Sequence, residues 1–195
     1  MQAKLSPLVY LYDFAGERPS NPSTQSLLLA QISSQAFGDG SHPTTRLCAG
    51  AVDLICRQKK PARVLDVGTG TGVLARIARA RGATFVAATD IDLDALAAAK
   101  TNAALDSHPV EIELSTNSPD SWGATFDLVV ANILEGPLRG LADALSRSLA
   151  PGGILLLSGF TPLQTPALRI AYTQLGLQFL TESTLDGWAL LMFQN

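Results

Sequence analysis

From Thr44 onward, short apolar runs alternate with longer segments whose apolar residues recur every three or four positions. Arg63–Val67 (RVLDV), Phe85–Thr89 (FVAAT), Val110–Leu114, Phe126–Ala131 (FDLVVA) and Ile154–Ser158 (ILLLS) read as five buried strands. They are short, aliphatic and bounded by turn formers. The intervening segments predict helices over Thr44–Arg57, Val73–Arg81, Asp94–Leu105, Leu138–Leu149 and Pro166–Leu175. Pro151-Gly152-Gly153 and Gly176 are the expected stops of the last two. The rhythm then breaks. Leu177–Ser183 and Trp188–Phe193 are strand-like runs parted by a short turn at Asp186-Gly187. Such a link makes an antiparallel hairpin, because a parallel pair needs a crossover. The expected fold is α/β: a doubly wound, mostly parallel seven-stranded sheet ending in an antiparallel hairpin.

Residues 1–35 lack this rhythm. Leu8–Tyr12 suits a short strand, Gly16–Ser26 is rich in turn formers and reads as a surface loop, and Leu27–Ile32 suits a short helix. The expected plan is a short N-terminal extension over 1–35, a candidate lid, followed by one domain over 36–195.

Composition narrows the setting. A chain of 195 residues, 47% hydrophobic and 16% charged, can bury a large core. Its net charge of −3 gives no basic excess for tracking phosphates, so direct nucleic-acid binding is not expected. No apolar run reaches the ~18 residues that span a bilayer, so no membrane partner is expected. The N-terminus makes a poor signal peptide, and a cytoplasmic location is expected. Cys48 and Cys56 fall on one predicted helix. They are about 12 Å apart at a rise of roughly 1.5 Å per residue, too far to bridge, and read as small buried apolar side chains. Nothing suggests a metal site or sets the oligomeric state.

The most pointed chemistry is Asp66–Gly72 (DVGTGTG), between the first of the five strands and the helix after it. Glycines here permit positive φ and close approach of backbone to a ligand. A dinucleotide fingerprint starting at Gly68 needs glycine or alanine at position 73, and the chain has Val73. The acid ahead of the glycines fits a methyl donor better. Asp66 is placed to meet, directly or through water, the ammonium end of S-adenosylmethionine, whose lack of a pyrophosphate leaves the helix N-terminus without an anion to hold. The plainer reading is that Asp66 caps the turn. Asp90 ends the second strand, where a carboxylate can accept both ribose hydroxyls. Asp92 and Asp94 follow closely; Asp94 reads best as a helix cap and Asp92 as partly solvated. A ribose acid does not separate a methyl donor from NAD, so the glycine spacing and the hairpin carry that distinction.

Two further segments make a family visible. Phe37–Thr45 (FGDGSHPTT) precedes the first helix, and Asn132-Ile133-Leu134 with Pro137-Leu138 leaves the fourth strand. With DVGTGTG and TDID, these resemble the methyltransferases of ribosomal large-subunit protein eleven, the PrmA family, from about residue 36 to the C-terminus. The resemblance implies a class I S-adenosylmethionine-dependent methyltransferase fold and a protein N-methyltransferase. It maps donor contacts to Thr45, Gly68, Asp90 and Asn132, with Gly70 in the same turn, and places Asn132 at the mouth of the site as the catalytic residue. A carboxamide there offers an acceptor that can orient an incoming amine. Plainer readings are a turn residue for Asn132 and a helix-start hydroxyl for Thr45. His42 lies on a loop before proline and reads as organising that loop; His108 carries no signal. Glu135 could attract a cationic substrate or be a solvated helix-start acid. Two departures stand out: Asp39 where the family usually has threonine, and only about 35 residues ahead of the motif, too few for the family's separate recognition domain.

The expected reaction is direct displacement at a sulfonium methyl by an amino nitrogen, lysine or N-terminal, of a protein such as a ribosomal protein. The leaving group is already activated, so the protein mainly positions and desolvates. Deprotonating a lysine at pH 7 costs about 4.6 kcal/mol, which burial and a nearby sulfonium reduce, so no dedicated base is required. The alternatives are a different protein or small-molecule amine acceptor, a non-catalytic donor-binding module, and an NAD oxidoreductase.

Overall fold

The computed structural model describes residues 2–20, 22–32, 40–106 and 111–195. Three N-terminal strands, β1 (Gln2–Ser6), β2 (Val9–Asp13) and β3 (Leu27–Gln31), form a small sheet of their own. The main sheet comprises β4 (Arg63–Val67), β5 (Phe85–Thr89), β6 (Ile112–Ser115), β7 (Phe126–Asn132), β8 (Leu149–Phe160), β9 (Gln178–Leu185) and β10 (Trp188–Gln194). Its order is β6-β5-β4-β7-β8-β10-β9, parallel through β8 and antiparallel at β10 and β9. Asp186 and Gly187, at φ 47° and 80°, turn the terminal hairpin. Two positive-φ residues match the right-handed strand twist, which is why an aspartate-glycine pair serves there. The expected sheet and its terminal hairpin are both present.

Among the described residues six α-helices complete the fold: α1 (Pro43–Lys59), α2 (Val73–Ala80), α3 (Leu93–Ala103), α4 (Glu135–Gly140), α5 (Ala142–Arg147) and α6 (Thr165–Gln174). Alternation along each strand divides the core in two. Leu128, Val130, Ile154 and Leu156 join Cys48, Val52 and Ile77 of α1 and α2. Val129, Ala131, Leu155 and Leu157 join Leu138, Leu145, Leu168 and Tyr172 of α4, α5 and α6. Cys48 and Cys56 are buried, free thiols; burial pushes Cys56 up to about 12 and Cys48 higher still. Among the described residues no helix is long and apolar enough to cross a membrane.

The N-terminal strands share the first of these cores through Leu5, Val9, Leu11 and Leu29. Arginines of the α2 segment fasten them. Arg76, fully buried, donates to both oxygens of Asp106 at 2.8 and 2.7 Å and to the Ala30 carbonyl. Arg81 pairs with Asp53 at 2.6 Å and donates to the carbonyls of Gln25 and Leu8.

Three expectations are corrected. Leu27–Gln31 is a strand, not a helix, because it pairs in parallel with β2; a leucine run carries no period of its own to decide the matter. The helix expected over 138–149 is two short helices, α4 and α5, meeting at Leu141. The stop expected at Pro151-Gly152-Gly153 lies inside β8, which already begins at Leu149 and is irregular in its pairing with β7 there. Val110, expected to open the third strand, lies outside the described residues, as do His108, Asp39 and the boundary near residue 35.

Candidate active site

In the main sheet the chain runs outward from β4 through β5 to β6, then returns to place β7 on the other side of β4. Segments leaving the carboxyl ends of β4 and β7 therefore diverge, which leaves a crevice at this switch point. A cavity of about 640 Å³ opens there, within the range of small-molecule sites. Gly68 and Gly70 line it from the turn after β4, Asp90 and Ile91 from the end of β5, Pro119 from beyond β6, and Asn132 from the end of β7. Among the described residues the lining holds two carboxylates, Asp90 and Asp92, and no lysine, arginine or histidine. Such a wall suits a cationic or neutral ligand and disfavours a pyrophosphate.

The glycine turn runs through φ 70° at Gly68, 54° at Gly70 and 81° at Gly72, a left-handed path that side chains resist. Asp90 braces it: one carboxylate oxygen accepts the Gly70 N–H at 3.0 Å and the other accepts the Asp92 N–H at 3.1 Å. Each oxygen retains acceptor capacity.

Asp66 does not line the cavity. It is buried on β4, where one carboxylate oxygen accepts the Thr69 hydroxyl at 2.7 Å and the Ala75 N–H at 3.2 Å, so it spans the turn. The other oxygen is buried without a partner. Burial pushes this carboxyl up to about 6, aided by nearby Asp90 and opposed by its two hydrogen bonds. A buried acid with a spare acceptor suits a cation placed against it.

Asn132 ends β7 opposite Ser158 of β8, and its carboxamide oxygen is buried without a partner. Thr45 lies in the first turn of α1. Only a three-residue link joins α1 to the start of β4, so α1 runs back along the sheet and its N-terminus reaches the carboxyl edge. The Thr45 hydroxyl is buried and unpartnered there, outside the cavity lining.

Gly68, Gly70, Asp90 and Asn132 are thus brought together, while Asp66 and Thr45 are buried outside the cavity lining. His42 caps α1, taking the Thr44 N–H on Nδ1, and packs edge-on against Trp188 at 4.5 Å between ring centres. Glu135 opens α4 and pairs with Arg139 at 3.6 Å. The cap of α3 is Asp92, accepting the Asp94 N–H at 2.9 Å, and not Asp94 as expected. Ile133, Leu134 and Pro137, read from sequence only as motif positions, also line the cavity, as do Ile91, Ser118, Pro119 and Leu141, which were not anticipated. Ile91 carried a usable signal, an aliphatic residue directly after a strand-end acid that is left 94% exposed.

The model of the family described as "Ribosomal protein L11 methyltransferase (PrmA)" matches residues 18–195. The ribosomal protein L11 methyltransferase of Bradyrhizobium diazoefficiens is 42% identical over 165 residues, covering 82% of this chain and 56% of that protein. Its counterpart in Geobacter sulfurreducens is 42% identical over 160 residues, covering 82% and 52%. The chain therefore spans little more than half the length of these relatives. The crystal structure of the ribosomal protein L11 methylase from Lactobacillus delbrueckii subsp. bulgaricus superposes with a TM-score of 0.86 at 30% identity, covering 98% of this chain and 97% of that one. The N-methyltransferase NodS from Bradyrhizobium japonicum, solved with S-adenosyl-l-homocysteine, shares the fold at a TM-score of 0.62 and 17% identity, covering 80% and 89%. The sheet order, the turn geometry and these matches agree, and the chain belongs to the ribosomal protein L11 methyltransferase (PrmA) family.

Proposed function

We propose that this chain transfers a methyl group from S-adenosylmethionine to an amino nitrogen, lysine or N-terminal, of a protein, with ribosomal protein L11 as the first acceptor to test. The observation that carries this reading is the switch-point cavity, where a buried, partnerless carboxamide oxygen on Asn132 shares the wall with Asp90 and the glycine turn. When bound, S-adenosylmethionine supplies an electrophilic methyl on an already activated leaving group.

The residues present fit that molecule. Asp90 would take the ribose hydroxyls with the acceptor capacity its backbone bonds leave free. Gly68 and Gly70 would let the backbone lie against the amino-acid portion, and Asp66, buried beneath that turn and outside the cavity lining, would favour its ammonium by charge or through a bridging water. Thr45 offers its unpartnered hydroxyl from the start of α1. Asn132 orients the acceptor by taking one N–H of the amine, which turns the nitrogen lone pair toward the reacting carbon. Among the described residues of the lining, Asp90 and Asp92 are the titratable side chains, and both already accept backbone N–H bonds. Among the described residues no dedicated base lines the cavity, and the lysine proton leaves to solvent before attack. Residues 36–195 carry this site, and residues 1–35 are its N-terminal extension.

Incubation with methyl-labelled S-adenosylmethionine tests the acceptor, using purified ribosomal protein L11 beside an unfractionated cell lysate. Label on L11 amino groups, and on one ribosomal band of the lysate, is the expected result. Label on another protein or a small amine would move the acceptor. Donor binding without transfer to any fraction would leave a binding module and sink the catalytic reading.

A further inference from the structure

Ile133, the residue after Asn132, is wedged between Gly68 of the turn after β4 and Gly159 of β8. Its Cγ2 methyl occupies the space that a Cβ on Gly68 would fill. On the other side its backbone crosses Gly159. A Cβ there would stand 2.6 Å from the Ile133 carbonyl carbon and 3.0 Å from its nitrogen, and closer still to its oxygen. Gly159 has φ 100°, which an L side chain resists. It is also the extra residue of a bulge in β8: Ala189 of β10 pairs with Phe160 and Leu190 with Ser158, leaving Gly159 unopposed. On the other edge of β8, Ser158 is the last residue in register with β7, opposite Asn132. The chain leaving Asn132 therefore turns directly over the bulge. Bulges bend a strand locally and re-aim what lies beside them.

We infer that the Gly159 bulge and the β-branch of Ile133 are positioning devices that hold the Asn132 carboxamide at a fixed distance from the glycine turn. Gly159 gives the Asn132–Leu134 segment a seat that only a residue without a side chain can provide. Ile133 then transmits that position to Gly68, because its Cγ2 contact is set by branching at Cβ and not by bulk. This inference rests on the proposed methyl transfer, in which Asn132 meets the acceptor while the glycine turn meets the donor. A shift of about 1 Å in such a pair costs on the order of 100-fold in rate.

The test compares Gly159→Ala, Ile133→Leu and Ile133→Val in the full chain. It uses calorimetry with S-adenosylhomocysteine, methyl transfer to ribosomal protein L11, and a crystal structure of each variant that folds. Gly159→Ala is expected to lower kcat about 100-fold, to keep the S-adenosylhomocysteine dissociation constant within about threefold, and to displace Asn132 by about 1 Å. Ile133→Val keeps the β-branch and should turn over at least tenfold faster than Ile133→Leu, although leucine conserves volume and valine does not. A residue that merely filled space would give the reverse order, which overturns the inference. So does a Gly159→Ala crystal structure with Asn132 unmoved, whether or not transfer is measurable. Should Gly159→Ala fail to fold, the valine–leucine pair decides by its rates and by the position of Asn132. Absence of S-adenosylhomocysteine binding by the unaltered chain would instead defeat the functional proposal.

Discussion

Asp66 is a carboxyl held under a glycine turn with one oxygen unpartnered, and burial pushes it up from 3.8 to about 6. The sign of the consequence is fixed. A carboxyl that binds its proton more tightly in the folded chain stabilises the fold below pH 4 and loses that contribution as pH rises through 6, about 3 kcal/mol in all. A bound ammonium would reverse the preference. Affinity for S-adenosylhomocysteine should therefore climb between pH 5 and 7, with a proton released near pH 6. Calorimetry in two buffers of different ionisation heat counts that proton, and Asp66→Asn should abolish both effects. At the acceptor side, Asn132→Ala removes the oxygen assigned to the amine. The expected result is a loss of roughly 100-fold in methyl transfer at saturating donor with donor affinity retained; an unchanged rate would strike Asn132 from the mechanism. Gly68, Gly70, Asp90 and Asn132 could be read from sequence because each belongs to a short motif at a strand end, where chemistry and chain position coincide. The wedge of Ile133 between Gly68 and Gly159 could not. It joins positions 91 residues apart at its two glycines, and nothing local marks either one as its partner.

The inner strands β4, β5 and β7 were legible because both faces are covered, so each reads as a short apolar run with clean ends. RVLDV and FVAAT form strands with the expected bounds. The N-terminal strands were harder, since what holds them is distant. The Ala30 carbonyl accepts from Arg76 and the Leu8 carbonyl from Arg81, both contributed by the segment after β4. No periodicity in LLLAQ reveals an arginine 46 residues away. The same arginines make a stability prediction. Asp106 neutralises Arg76 and Arg79, whose side chains are almost fully buried, at 2.7 Å each. Replacing Asp106 with alanine strands buried positive charge and should cost about 3–5 kcal/mol, which for a chain of this size lowers Tm by about 10 °C. A thermal scan showing a shift under 2 °C would contradict that role for the pair. In the two-sided core, Leu156→Ala should cost about 2–5 kcal/mol by opening a cavity, with urea midpoints as the readout.

At the scale of the whole molecule, one topological fact organises the site: the sheet is wound outward from β4 in two directions, and the crevice this leaves is walled by carboxylates and glycine backbone. A fold of this kind serves many ligands, so the fold alone does not choose among them. The choice comes from the chemistry of the wall, which among the described residues has no basic side chain and has Asp66 with a spare acceptor behind it. The most direct test is a calorimetric titration of the purified chain with S-adenosylhomocysteine, and separately with NAD. Saturable heat at one site per chain with the first, and none with the second, is the predicted result. Silence with S-adenosylhomocysteine and S-adenosylmethionine alike, or tighter binding of NAD, would contradict the account.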